Sequence, residues 1–185
     1  MNNKEYYTEL SKEISYALRH APWKYELELD EEGWVPVDQL LSALYQSEKW
    51  INITLDDVQK MISLTKKKRH ELLGNKIRAL YGHSTPVKIS KKEAVPPKFL
   101  YHGTSIEFIN LIIEKGLLPM SRQYVHLSED TETASLVGRR KAIEPIILII
   151  NTEESRKNGV KFYRGNEKVW LSDYIPTDFI SIKNF

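Results

Sequence analysis

Residues 54–80 read TLDDVQKMISLTKKKRHELLGNKIRAL, and their reading decides the architecture of the first half of the chain. Thr54 and Asp57 have the capping-box spacing, in which the two side chains satisfy each other's open backbone N–H groups at a helix start. Val58, Met61 and Ile62 follow at helical spacing and face inward. A basic cluster, Lys66-Lys67-Lys68-Arg69, comes next. Two short segments, Arg69–Leu73 and Lys76–Leu80, are then separated by Gly74-Asn75. A two-residue spacer of this kind signals a β-hairpin, because Gly and Asn accept the positive φ that the tight turn demands.

Towards the N-terminus, Pro36-Val37-Asp38 opens a helical stretch with Leu40, Leu41, Leu44 and Tyr45 on one side. Before it, Tyr7, Leu10, Ile14, Ala17 and Leu18 form an apolar stripe that ends at Arg19-His20-Ala21-Pro22. Three helices followed by a hairpin is the winged-helix order, although a fold alone confers no role in nucleic-acid binding. Towards the C-terminus, residues 84–98 (STPVKISKKEAVPPK) hold three of the eight prolines and four lysines without periodicity. They read as a linker whose end Pro96-Pro97 keeps extended. Beyond it the pattern is largely β: Phe99–His102, Tyr124–Leu127, Ile146–Ile150, Val160–Tyr163, Val169–Leu171 and Phe179–Ile182. Two helices interrupt it, one through Ile106, Ile109, Ile112 and Ile113 stopping at Gly116, the other from about Thr131 to Arg140. The expected class is α+β in two domains, 1–95 and 96–185.

Composition bounds the rest. The chain has 185 residues, 41% hydrophobic and 28% charged, as a soluble folded protein does. It has no cysteine, which excludes disulfides, zinc–thiolate sites, iron–sulfur clusters and thiol nucleophiles. The longest apolar run, Ile146 to Ile150, is too short for a bilayer, and the N-terminus lacks a signal-peptide core, so a cytoplasmic protein without membrane contact is expected. The net charge is +2: residues 1–98 hold 16 Lys+Arg against 14 Asp+Glu, and 99–185 hold 11 against 11. The excess is local to residues 66–69, with Lys76 and Arg78 beyond. Such a cluster can follow a phosphate backbone or can be a solvated surface.

Five histidines are present. His20 ends the first helix, where a positive charge complements the helix dipole. His70 lies in the basic hairpin and is expected to be exposed. His83 lies in the turn-like Tyr81-Gly82-His83-Ser84. His102 stands at a strand-to-helix turn before Gly103-Thr104-Ser105, where Gly allows a close backbone approach and the helix start offers N–H donors. His126 lies in a strand two residues before Ser128. No His-x-x-x-His pair exists, and Asp30-Glu31-Glu32 reads as a solvated turn, so a metal site is not expected. No Walker loop and no Gly-x-Ser-x-Gly elbow occurs. Chemistry on phosphates would then rest on arginines near element ends: Arg19, Arg69, Arg78, Arg122, Arg139 and Arg140. Their planar forks match phosphate oxygens at two points.

The chain resembles the NAD-dependent RNA 2′-phosphotransferases over nearly its whole length. The resemblance rests on Leu18-Arg19-His20, Lys68-Arg69, Ile77-Arg78-Ala79, Gly82-His83-Ser84, Tyr101-His102-Gly103-Thr104, Val125-His126-Leu127-Ser128, Val137-Gly138-Arg139-Arg140 and Val169-Trp170-Leu171, in that order. It implies a winged-helix lobe followed by a mainly β lobe of the ADP-ribosyltransferase type. It implies removal of an internal RNA 2′-phosphate, as at a tRNA splice junction, with NAD as acceptor and no metal. The products would be 2′-OH RNA, nicotinamide and ADP-ribose 1″,2″-cyclic phosphate.

By the same resemblance the catalytic set is Arg19, His20, Arg69 and Arg122, with Arg78 and Arg139 as rivals for the last two positions. His102, Gly103, Thr104, Ser105, His126, Ser128 and Arg139 would meet NAD, and Arg78, His83, Ser84 and Arg140 the RNA. Leu80-Tyr81 and His70 depart from the family's usual residues. Two other classes fit parts of the pattern: an ADP-ribosyltransferase that stops after modifying a phosphorylated end or a protein, and a non-catalytic winged-helix protein. A monomer is the default.

Overall fold

The computed structural model describes residues 3–65 and 67–183. Among them are six α-helices and two antiparallel sheets, a mixed α+β arrangement. The chain divides into two compact units, residues 1–90 and 91–185.

The first unit runs α1 (Asn3–Arg19), β1 (Trp34–Pro36), α2 (Val37–Leu44), α3 (Leu55–Leu64), β2 (His70–Leu73) and β3 (Lys76–Ala79). The helices start and stop where local chemistry dictates. Thr54 Oγ1 accepts from the Asp57 N–H, and the Thr54 N–H donates to Asp57 Oδ2 at 3.0 Å, so α3 has the capping box read from its sequence. Gly74 turns the β2–β3 hairpin at φ +59°. The sheet order is β1-β3-β2, and β1 is an addition that periodicity missed. Its three residues WVP are too few to show alternation. Pairing is what defines it, with Val35 opposite Ile77 and both fully buried. The core joins Leu10, Ile14 and Leu18 of α1 to Leu40, Trp50, Met61 and Ile77.

Residues 84–98 are not the loose linker that their prolines suggest. Ser84 N–H donates to Arg19 O (2.9 Å) and Ser90 N–H to Glu31 O (2.8 Å), while Thr85 and Ile89 are buried; this part belongs to the first unit. Ala94 N–H donates to Phe162 O (2.8 Å), and Glu93 pairs with Tyr163, which ties the later part to the second unit. A strap held by backbone bonds to residues far along the chain leaves no periodic mark on the sequence.

The second unit contains β4 (Phe99–Thr104), α4 (Ile109–Lys115), β5 (Val125–Ser128), α5 (Thr131–Gly138), β6 (Ile146–Asn151), α6 (Thr152–Lys157), β7 (Phe162–Arg164), β8 (Val169–Ser172) and β9 (Ile180–Ile182). Its sheet order is β7-β8-β5-β4-β6-β9. Helix α6 was not expected; it is short, and the Asn151 side chain caps it by accepting from Glu154 N–H at 3.2 Å. Leu100, Leu127, Leu148, Ile150, Phe162 and Trp170 form the core. Strand β4 pairs with β6 along its full length, from Phe99↔Asn151 to Thr104↔Ile146. With β5 it makes one pair only, Tyr101↔Ser128, so the sheet opens beside His102. Among the described residues no helix is long and apolar enough to cross a membrane.

Candidate functional site

The first site is built at the end of α1. The buried stripe of α1 finishes with Ala17 and Leu18, which leaves Arg19 and His20 at the helix terminus. Arg19 Nη2 donates to Arg69 O at 3.2 Å, and the same carbonyl accepts from Leu80 N–H at 2.9 Å. The Arg19 guanidinium lies 5.2 Å from the centre of the Tyr81 ring. Gly82, at φ +91°, then turns the chain past the Arg19 side chain in a backbone conformation that favours glycine. Next, Ser84 Oγ and His20 Nδ1 share a hydrogen bond of 2.8 Å, while Ser84 N–H holds Arg19 O. Three separate motifs, Leu18-Arg19-His20, Lys68-Arg69 and Gly82-His83-Ser84, thus converge on one patch of the first unit. Lys67 and Lys68 are exposed nearby in sequence, and Lys66 lies outside the described residues.

His70 is a correction to the sequence reading. It is 4% exposed, not a surface residue, because the alternation of β2 turns it inward. Its Nε2 lies 3.0 Å from Ser15 Oγ. Burial, joined by the nearby charges of Arg19 and Arg69, pushes its pKa down to about 3, so the ring is neutral at ordinary pH. A neutral ring near the charges of Arg19 and Arg69 adds no competing positive charge. His83 is also buried, with its Nε2 beside the Gly33 turn.

Arg78 meets a different environment. Its Nε donates to Glu71 Oε2 at 2.8 Å, its Nη1 to Glu32 Oε2 at 3.2 Å, and its guanidinium stacks 4.2 Å from the Trp34 ring centre. Two carboxylates already answer its charge. The acidic turn around Glu32 is therefore partly engaged, where the sequence suggested only solvation.

The second unit holds the remaining candidates. His102 Nδ1 donates to His126 O at 2.9 Å, across the place where the β4–β5 ladder has ended. Burial lowers the His102 pKa, with Lys141 adding to the effect, so the ring is neutral. With the proton on Nδ1, its Nε2 carries a lone pair and can accept from a hydroxyl or amide. His126 Nδ1 donates to Tyr124 O at 2.9 Å, which fixes that ring too.

Gly103 has a reason that the sequence did not reveal. A Cβ there would lie 2.1 Å from Ala134 O and 3.2 Å from Gly138 Cα. The close approach it permits is taken by α5. Thr104, Ser105 and Ser128 are buried. Arg122 is exposed in the bend before β5, with its N–H donating to Pro119 O at 3.2 Å. Arg139 and Arg140 are exposed just after α5. Among the described residues no group of three or more His, Cys, Asp or Glu is placed to hold a metal ion.

An α+β protein that gathers Arg19, the Arg69 backbone and an exposed His20 at one helix end has a site in which planar forks could meet phosphate oxygens at two points. Comparison with known proteins gives the family. Residues 5–174 match the model described as "RNA 2'-phosphotransferase, Tpt1 / KptA family". A "Probable RNA 2'-phosphotransferase" of Bacillus thuringiensis is 65% identical over 182 residues, covering 98% of each chain. Relatives of the same description in Acetivibrio thermocellus (56% identity, 94% of this chain and 96% of the relative) and Pyrococcus horikoshii (41%, 93% and 96%) extend the likeness to distant organisms. The chain belongs to the RNA 2′-phosphotransferase family, and is an RNA 2′-phosphotransferase enzyme.

Proposed function

We propose that this enzyme moves an internal 2′-phosphate from RNA to NAD in two steps. The observation that carries the reading is the convergence of the Arg19 guanidinium, the Arg69 backbone and the His20–Ser84 pair at the end of α1. In the first step a 2′-phosphate oxygen attacks the anomeric carbon of the nicotinamide ribose. The glycosidic C–N bond breaks, its electron pair goes to the pyridinium nitrogen, and neutral nicotinamide leaves. Because the nucleophile is already an anion and the leaving group is neutral, this step needs orientation more than acid–base help.

In the second step the ribose 2″-hydroxyl attacks the phosphorus and the bond to the RNA 2′-oxygen breaks. The hydroxyl proton must depart, and the RNA 2′-oxygen must gain one. His20, held by Ser84, is the group for that transfer. Arg19 and Arg69 hold the phosphate and stabilise charge growing on its oxygens; the family resemblance adds Arg122 to this set.

On the co-substrate side, neutral His102 offers an acceptor at Nε2 beside the sheet opening, and His126 flanks it. These donors and acceptors fit a dinucleotide. Gly103 serves by seating β4 against α5, Thr104, Ser105 and Ser128 line the same strand ends, and Arg139 and Arg140 supply cations for the pyrophosphate or the RNA. Arg78 and His83 act through the scaffold of the phosphate site, and Ser84 through His20. In this reading the first unit is the winged-helix, RNA-facing lobe, and the second the ADP-ribosyltransferase-like, NAD-binding lobe.

The test is incubation with NAD and a short RNA bearing one internal 2′-phosphate, with a chelator present. The expected products are 2′-OH RNA, nicotinamide and ADP-ribose 1″,2″-cyclic phosphate. ADP-ribosylated RNA that never resolves would reduce the reading to the first step. Unconsumed NAD would overturn it.

A further inference from the structure

Beside His20 the protein leaves aromatic surface open to water, and nothing in the two chemical steps uses it. Tyr16, one helical turn before His20, is 41% exposed, and their ring centres are 6.2 Å apart. Trp23, three residues beyond His20 in the short 3₁₀ turn Pro22–Tyr25, is 60% exposed. Lys24, which follows Trp23 in the same turn, donates to Tyr16 Oη at 3.0 Å, and its ammonium sits 5.5 Å from the Tyr16 ring centre. The neighbouring Tyr25 is accounted for otherwise: it turns inward to give its hydroxyl proton to Glu13. Two of the chain's four tryptophans, Trp50 and Trp170, are 2% exposed, so Trp23 contrasts with the burial that large indoles usually find.

Exposed aromatic faces interleaved with a cation are the arrangement on which nucleobases stack while a phosphate is held nearby. We infer that Tyr16, Trp23 and Lys24 form a subsite for the nucleotide that adjoins the phosphorylated ribose of the RNA. The base stacks on the aromatic surface and Lys24 meets the backbone phosphate. Stacking is tolerant of base identity, so the subsite adds affinity and register without demanding a sequence. The inference rests on the proposed use of His20 at the phosphate, because that is what places the adjoining nucleotide here.

A four-way comparison tests it, with the whole enzyme and without NAD so that no turnover occurs. RNA binding is measured for the wild type and for Trp23→Ala. Each is given an RNA with an intact base next to the 2′-phosphate and one with an abasic ribose there, first on the 5′ side and then on the 3′ side. The wild type is expected to lose about tenfold in affinity on removal of one of the two bases, in line with a single base–aromatic stack. Trp23→Ala is expected to lose about as much on the intact RNA and almost nothing more on the abasic one. Trp23→Tyr restores the sensitivity to the missing base.

Losses that simply multiply on both sides would overturn the subsite. Product formation by the wild type with NAD is scored separately. Coupled losses without turnover would keep the subsite and remove the proposed reaction; multiplying losses with turnover would do the reverse.

Discussion

Arg19 and Arg78 carry the same guanidinium and meet opposite surroundings. Arg78 is 21% exposed and gripped by Glu71 and Glu32, whereas Arg19 donates to a backbone carbonyl and lies against the Tyr81 ring. Arg19→Lys keeps the charge and loses the planar fork, so phosphotransfer is expected to fall by more than tenfold with little change in melting temperature. Arg78→Ala is expected to cost stability, about 1 kcal/mol after allowing for the partial exposure of the pair, and to spare activity by comparison. Parallel denaturation and product assays separate the two. His20→Ala is expected to accumulate the ADP-ribosylated RNA; full conversion to 2′-OH RNA without that intermediate would remove its assigned role.

His70 gives a pH dependence with a definite sign. Its folded pKa, about 3, lies below the unfolded value of 6.5, so the unfolded chain binds the extra proton between those limits. The stability is complete above pH 6.5 and is lost as pH falls towards 3, with a limiting slope of about 1.4 kcal/mol per pH unit. Unfolding free energies from urea denaturation at pH 7 and pH 5 are expected to differ by about 2 kcal/mol more for the wild type than for His70→Phe. At this scale the sequence showed which residue types were present and in what order. It did not show that Arg78 is already paired or that His70 is buried, because both depend on partners far along the chain.

Elements were more legible than residues. The capping box at Thr54, the Gly74-Asn75 hairpin and the α1 stripe ending at Arg19 all left local marks, since caps, turns and periodic faces are satisfied within a few residues. Thr54→Ala is expected to destabilise the protein by about 1 kcal/mol, measured by chemical denaturation. Strand β1 and the 84–98 strap left no such marks, being defined by distant partners. The same holds for Gly103, which reads as a ligand approach but is the seat of α5 on β4. Gly103→Ala would drive a methyl into the Ala134 carbonyl and is expected to cost at least about 2 kcal/mol, or to prevent folding. A variant that melts like the wild type would refute that packing role.

At the scale of the whole chain, two compact units were expected from the change of pattern near residue 95, and the division falls at 90/91 because residues 93 and 94 pair with the β7 region. A fragment of residues 1–90 is expected to unfold cooperatively. One ending at 83 loses both Ser84 bonds at the end of α1, the Ser90–Glu31 bond and the buried Thr85 and Ile89, and should be less stable by at least about 3 kcal/mol, as calorimetry would reveal. The distribution of indoles has a use of its own. Trp50 sits in the core of the first unit and Trp170 in that of the second, so each core holds one buried fluorophore. With Trp23 and Trp34 replaced by phenylalanine, the remaining emission comes from two dry interiors. Removing either Trp50 or Trp170 then leaves a single lamp, and a red shift of its light tells which half of the enzyme has let water in.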